Sequence, residues 1–448
     1  MFGTSGIRGE VGSDVTADLA LSVGRALASE GYRHVVVGRD TRESGAMLAD
    51  ALSAGVRECG GTVVDVGTAA TPTIARSVGW LDADAGVAVT ASHNPPEDNG
   101  LKLWNPSGQA FDGDQRAEIT RRLDEGAYEL VGADGVGGEH RWEESHERHV
   151  AALCDACGSL DGVHVAVDVG NGAGAVTATA LRDLGATVTT LNAQPDGTFP
   201  ARPSEPTAET CEDLCRFVAA TDADLGVAHD GDADRTMAVD ETGAFVPGDH
   251  LLALFGRARA GDGDRVAAPL NTSLAVDDAL AEVGASVVRT KVGDVYVAER
   301  ATEADVVFGG EPSGAWIWPD ETLCPDGPLA ACRLAETVHD RGPLSTQLDA
   351  IGGYVTRRES RPVDAKDEVM DHVGRLAAAS YDEVDASDGV RVDRGDGWFL
   401  VRASGTQPLV RLTAEAAEAE RATELFEAAR SLFEEAADAA ESATLQSE

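Results

Sequence analysis

Three stretches of the chain repeat one order of apolar and polar positions: an apolar run rich in β-branched residues, a small or polar turn, a helix-period segment, a glycine and a second apolar run. They are VVVGRDTRESGAMLADALSAGVRECGGTVVDVG from Val35, VHVAVDVGNGAGAVTATALRDLGATVTTLN from Val163 and RVAAPLNTSLAVDDALAEVGASVVRT from Arg265. Apolar runs flanking an amphipathic helix are the signature of β-α-β crossovers and largely parallel sheets. The pattern predicts three related α/β domains. From about Tyr354 the order changes: YVTRRESRPV, GVRV, WFLVRAS and LVRLTAEA read as strands, KDEVMDHVGRLAAA and AERATELFEAARSLFEEAADAA as helices. That grouping predicts a fourth, α+β domain. Polar or glycine-containing breaks divide the chain at 1–148, 149–247, 248–352 and 353–448, and the tail ESATLQSE is expected to fray.

Composition narrows the function classes. With 448 residues, 43% of them hydrophobic, the chain can bury several cores. No apolar stretch approaches the ~20 residues that span a bilayer, and MFGTSGIRG lacks the basic-then-apolar order of a signal peptide. A soluble, cytoplasmic protein is expected. Against 78 Asp+Glu stand 36 Lys+Arg, a formal charge of -42. Such self-repulsion becomes tolerable where molar salt shortens the screening length to about 3 Å, which points to a halophilic source. Nucleic acid and anionic membrane both need a basic face, so neither is an expected partner. The only lysines are Lys102, Lys291 and Lys366. Seven scattered cysteines are no disulfide framework, and the pairs Cys154/Cys157 and Cys211/Cys215 fall in helical stretches, where one buried face accounts for them better than zinc does.

Four motifs carry chemistry. VAVTASHNPPEDNGLKLW begins as a buried strand and breaks at Ser92-His93-Asn94-Pro95-Pro96, placing a serine at a strand's carboxyl end, where α/β folds put ligands; a plain turn is the alternative. No GxSxG elbow surrounds it, which disfavours a lipase-type hydrolase. In LGVAHDGDADRTMAVD, Asp230, Asp232 and Asp234 alternate at a strand end and offer hard oxygen ligands suited to Mg2+. An EF-hand reading fails because Arg235 stands where that loop needs glycine; a solvated acidic turn stays open. FGGEPSGAWIWP sets Glu311 and Ser313 on a glycine turn able to meet vicinal sugar hydroxyls. FLVRASGTQPLVRLTAEA combines Arg402, Ser404, Gly405, Thr406 and Arg411 into a phosphate cradle, unless it is a surface turn.

Taken together and in order, FGTSGIRG with Arg8, GRDTRESG, TASHNPPEDNGLK, DGDADR, KVGD, GEPSG and RASGTQP resemble the α-D-phosphohexomutase family, which includes phosphoglucomutase, phosphomannomutase and phosphoglucosamine mutase. The resemblance spans the whole chain. It implies three α/β domains and a smaller C-terminal domain around a central cleft. It also implies an enzyme that interconverts hexose 6-phosphate and 1-phosphate through phosphoserine, with a hexose 1,6-bisphosphate as intermediate and activator. Ser92 would give and take the phosphoryl group. Asp230, Asp232 and Asp234 would hold one Mg2+ together with a Ser92 phosphate oxygen, and Arg8, His93, Lys102 and Arg235 would surround the transfer. Lys291, Glu311 and Ser313 would meet the sugar, and Arg402, Ser404, Gly405, Thr406 and Arg411 its other phosphate. The forms TASHNP and RASGTQP resemble the amino-sugar branch and imply glucosamine phosphate, with mannose or glucose phosphate the alternative. Gln407 and Ala315 depart from the family's usual glutamate and histidine. A non-catalytic sugar-phosphate binder is the alternative from another class.

Overall fold

The computed structural model describes Gly3, residues 6–363, 365–404 and 408–447, with backbone alone from residue 441. Four sheets follow one another along the chain. The first has the strand order Ile7–Glu10, Asp98–Trp104, Ala85–Val89, His34–Arg39, Thr62–Thr68, Glu139–Arg141. The last four of these run parallel; the first two are antiparallel additions at one edge. In the second sheet Thr187–Leu191, His164–Asp168 and Leu225–His229 are parallel, and Thr236–Asp240 turns back antiparallel. The third repeats the scheme with Ser286–Thr290, Arg265–Pro269 and Val306–Glu311 parallel and Ala315–Ile317 reversed. The fourth, Val355–Pro362, Leu409–Ala416, Gly397–Ala403, Val390–Asp393 and Val384–Asp385, is antiparallel throughout. Three mixed α/β sheets and one antiparallel sheet are the architecture that the apolar pattern predicts.

The same hairpin recurs in the first three sheets. A buried strand running with the parallel set reaches its carboxyl end and folds straight back as the next, antiparallel strand. The three turns so formed hold Ser92, the Asp230–Asp234 run and the Glu311–Ser313 run. An isolated bridge between Arg235 and Ala315 ties the second and third hairpins together, and Trp316 Nε1 donates to the Thr236 carbonyl at 2.8 Å.

The core is not partitioned sheet by sheet. One cluster of buried side chains runs from Leu153 and Val165 through Leu251 and Phe308 to Leu334, joining the second and third sheets. The first and fourth sheets have clusters of their own. A buried polar knot joins the first sheet's layer to the rest: Asp326 accepts from Arg76 Nε at 2.7 Å, lies 3.2 Å from His149 Nε2, and caps the helix Gly327–Arg341 by accepting from the Leu329 N–H. The C-terminal helix Ala419–Ser447 runs through most of the segment expected to fray. No helix among the described residues is long and apolar enough to cross a membrane.

Candidate active site

Ser92 sits in the first hairpin turn with φ of 51° and only 1% exposure. A non-glycine residue in this left-handed region costs of order 1–3 kcal/mol and persists only where its surroundings over-determine it. They do so here. The Ser92 N–H donates to Thr90 Oγ1 at 2.8 Å, and its carbonyl accepts from Arg42 Nη2 at 3.0 Å and Ser204 Oγ at 2.9 Å. Arg42, itself buried and paired with Asp40 at 3.1 Å, also holds the carbonyls of Asn94, Pro95 and Asp98. The turn is therefore fixed from beneath, and the side chain is aimed away from that support. Its Oγ donates to Asp230 Oδ2 at 2.6 Å and lies 3.3 Å from His93 Nδ1.

The three aspartates follow the carboxyl end of Leu225–His229 and occupy the tight turn that leads into Thr236–Asp240, with Ala233 at φ 56°. The turn, rather than strand pleating, converges them, and oxygens from Asp230, Asp232 and Asp234 lie within 4.8 Å of one another. All three residues are buried. Asp232 Oδ2 accepts from Thr71 Oγ1 at 2.6 Å, whereas Asp232 Oδ1 and Asp234 Oδ1 are buried with no partner among the described residues. Burial, then the Asp232 and Asp234 charges, holds the Asp230 carboxyl well above the usual range, and burial with Asp232 pushes Asp234 up to about 6. Crowded, desolvated carboxylates with two orphaned oxygens fit a small divalent cation, which removes both penalties at once. No cysteine-containing cluster of this kind occurs among the described residues, and all seven cysteines are free thiols.

A cavity of about 280 Å³ opens over this pair, lined on one side by Arg8, Ser92, Lys102, Asp234 and Arg235 and on the other by Asn271, Asp294, Glu311, Ser313 and Arg402. Four cations, Arg8, Lys102, Arg235 and Arg402, are gathered here in a chain of charge -42, beside the carboxyl groups of Asp234, Asp294 and Glu311. Burial pulls the Lys102 ammonium down, but Asp294 at 2.6 Å and Asp234 at 3.8 Å outweigh it and leave it raised, hence firmly charged. Burial, then Arg235, Arg8, Arg42 and Lys102, lowers His93 to about 2, so its ring is neutral beside the unmodified serine. Arg8 reaches the cavity from Ile7–Glu10 and leaves its buried Nε without a partner among the described residues. Glu311 ends a strand rather than sitting in a loose glycine turn. It accepts from the Gly293 N–H at 2.7 Å, and burial, then Asp294, pushes it up to about 7. Ser313 Oγ donates to Glu311 Oε2 at 3.5 Å.

The residues expected to form a phosphate cradle are partly described. Arg402 and Arg411 stand directly opposite each other across the hairpin Gly397–Ala403/Leu409–Ala416, so both guanidinium groups share one face. Arg402 Nε is held by Asp388 at 2.8 Å. Ser404 is buried, and its carbonyl accepts from Lys366 Nζ at 2.8 Å. Gly405 and Thr406 lie outside the described residues. Lys291 is exposed, 5.5 Å from the Tyr296 ring, and does not line the cavity, although its neighbours Val292 to Asp294 do.

Models of the phosphoglucomutase/phosphomannomutase family match four consecutive segments: α/β/α domain I over residues 1–129, domain II over 147–243, domain III over 247–353 and the C-terminal domain over 358–432. The chain belongs to this family. It is 47% identical over 433 residues to a probable phosphoglucosamine mutase of Methanopyrus kandleri, with 95% of each chain covered. To one from Methanosarcina barkeri it is 43% identical, covering 97% of this chain and 99% of the relative. Among solved structures, a phosphoglucomutase/phosphomannomutase family protein of Burkholderia thailandensis superposes with a TM-score of 0.86 at 29% identity, covering 98% of both chains. Against the family's motifs, several residues that build this site escaped the sequence reading. Arg42 and Asp40 lie inside GRDTRESG and were visible as a motif without a role. Asp294 closes the KVGD motif and was likewise visible without a role, whereas Ser204 and Asn271 carry no local signal, because tertiary contacts alone bring the first to the Ser92 carbonyl and the second to the cavity.

Proposed function

We propose that the chain is a phosphoglucosamine mutase, interconverting glucosamine 6-phosphate and 1-phosphate through a phosphorylated Ser92. The observation that carries the reading is Ser92 Oγ standing 2.6 Å from the buried aspartate trio on the floor of a cation-lined cavity. The sugar preference is supported by the names of the archaeal relatives at 40–47% identity. We assign Asp230, Asp232 and Asp234, with an oxygen on Ser92, as the holders of one Mg2+. When bound, that ion neutralises charge on the transferring phosphoryl group.

In the first half-reaction the bond from phosphorus to Ser92 Oγ breaks as a bond to a sugar hydroxyl oxygen forms. Lys102, Arg8 and Arg235 balance charge on the equatorial oxygens, and the proton released by the sugar hydroxyl matches the one that Ser92 Oγ takes up as it leaves phosphorus, so no net proton is exchanged with solvent. Glu311 and Ser313 hold the ring, while Arg402, Ser404, Gly405, Thr406 and Arg411 grip the phosphate that does not react. The resulting glucosamine 1,6-bisphosphate turns end for end, so that its other phosphate faces Ser92 and restores the phosphoenzyme. Both phosphates meet cations in either orientation, which keeps the bisphosphate bound while it turns.

A coupled mutase assay on glucosamine, glucose and mannose phosphates, with and without Mg2+, tests this. Magnesium-dependent turnover highest with the glucosamine phosphates is expected, and Asp232→Asn should lose it while keeping the fold. Turnover that survives Asp232→Asn and chelation removes the metal assignment, and equal rates on the three sugars remove the amino-sugar preference.

A further inference from the structure

Asn271 is absent from every motif above, yet it is among the residues that line the cavity. It belongs to the loop PLNTS that leaves the carboxyl end of Arg265–Pro269 and leads into the helix Leu274–Ala281, the position at which open α/β sheets receive ligands. The backbone around it is pinned on every side. The Leu270 N–H donates to the Thr290 carbonyl at 2.9 Å, and the Leu270 carbonyl accepts from Arg391 Nη1. The Thr272 N–H donates to the Pro269 carbonyl at 3.0 Å, the Thr272 carbonyl accepts from Arg289 Nη1 at 3.3 Å, and the Ser273 N–H donates to Asp249 Oδ1 at 2.8 Å.

In the middle of this clamped loop the Asn271 amide is left over. Its Oδ1 is buried without a hydrogen-bond partner among the described residues. Leaving such an acceptor unmet costs about 1–3 kcal/mol. No stabilising role offsets that cost, because the side chain holds nothing. On the same wall Glu311 is held by the Gly293 N–H, Asp294 by Lys102 and Arg402 by Asp388; the other unpartnered polar atoms of the cavity lining, Arg8 Nε and Asp234 Oδ1, belong to the cation and carboxylate set around Ser92.

We infer that Asn271 is a specificity residue, whose amide oxygen accepts a hydrogen bond from a donor on the hexose ring. Two ring substituents offer that chemistry, a hydroxyl and the 2-ammonium of glucosamine. A charge-assisted bond from ammonium is roughly twice as strong as a neutral one, so the amino sugar gains most from an acceptor that no protein group competes for. The inference rests on the mutase reading for its ligand but not for its geometry.

The test compares wild type with Asn271→Ala and Asn271→Asp by kcat/KM on glucosamine, glucose and mannose phosphates, and by the rise in melting temperature that glucosamine 6-phosphate produces. Asn271→Ala should lose roughly tenfold in kcat/KM and much of the ligand-induced rise. Without ligand it should melt no lower than wild type, since no protein contact is removed. A loss confined to glucosamine phosphates, which Asn271→Asp restores, identifies the ammonium as donor; an equal loss on all three sugars identifies a hydroxyl. Either supports the assignment. Unchanged kcat/KM and an unchanged ligand-induced rise overturn it, as does a lower melting temperature without ligand, which would make Asn271 structural. Wild type that binds but isomerises no sugar would sink the mutase reading, while the melting shift would still decide Asn271.

Discussion

Glu311 places a titration inside the working pH range. Burial and the Asp294 charge push its carboxyl up to about 7, so it is neutral below that value and an anion above it. The anion is the stronger acceptor and offers both oxygens to hydroxyls, whereas the neutral carboxyl spends one oxygen as a donor. We therefore expect kcat/KM to rise as pH increases through about 7, and Glu311→Gln to flatten that limb while lowering its plateau. An inflection that persists in Glu311→Gln would assign it to another group. Stability should move the other way. A carboxyl raised in the folded state supports folding while protonated, and that support fades as pH rises through about 7. The residues legible in sequence were those whose neighbours along the chain are also their partners in function, Ser92 and the aspartate trio above all. The left-handed backbone of Ser92 and the arginine beneath it were not legible, because Arg42 precedes the serine by fifty residues and reaches it only after the sheet has formed.

At the scale of elements, one hairpin repeated three times explains how motifs far apart in sequence converge. Each buried strand reverses at its carboxyl end, so Ser92, Asp234 of the aspartate trio and Glu311 are delivered to one cavity. The β-α-β periodicity was readable; the antiparallel return was not, since a short apolar strand reads the same in either direction. Among the contacts that hold the first sheet against the others is the knot of Arg76, His149 and Asp326. Burial would raise the Asp326 carboxyl, but His149 and Arg76 outweigh it and hold the group below the usual carboxylate range. Its contribution is thus complete above the unfolded value of about 4 and is lost as pH falls through the lower folded value. Asp326→Asn leaves the Arg76 charge buried without its counterion and weakens the cap on Gly327–Arg341. A loss of roughly 3–5 kcal/mol in urea unfolding at neutral pH is expected. A loss within the error of the midpoint would show that the knot does not hold the layers.

Over the whole molecule, charge is distributed against itself. The surface carries the excess that gives -42, while four basic side chains are gathered inside one cavity. Salt should act on these separately: it screens surface repulsion and stabilises the fold, and it weakens the attraction of the cavity for phosphate. Melting temperature is expected to climb from dilute buffer into molar KCl while KM for the sugar phosphate increases. Equal melting temperatures in both would refute the halophilic reading. Composition made the charge legible, but not its segregation, which needs the fold.

On the proposed reading the site is arranged around one hydroxyl, that of Ser92, which would alternately carry and surrender a phosphoryl group. Intact-mass spectrometry of wild type and Ser92→Ala, each incubated with Mg2+ and a hexose 1,6-bisphosphate, measures that directly. One phosphate on the wild-type chain, discharged when excess hexose monophosphate is added and never acquired by Ser92→Ala, is the predicted result. A phosphate acquired equally by Ser92→Ala, or mutase turnover undiminished in that variant, would contradict the account.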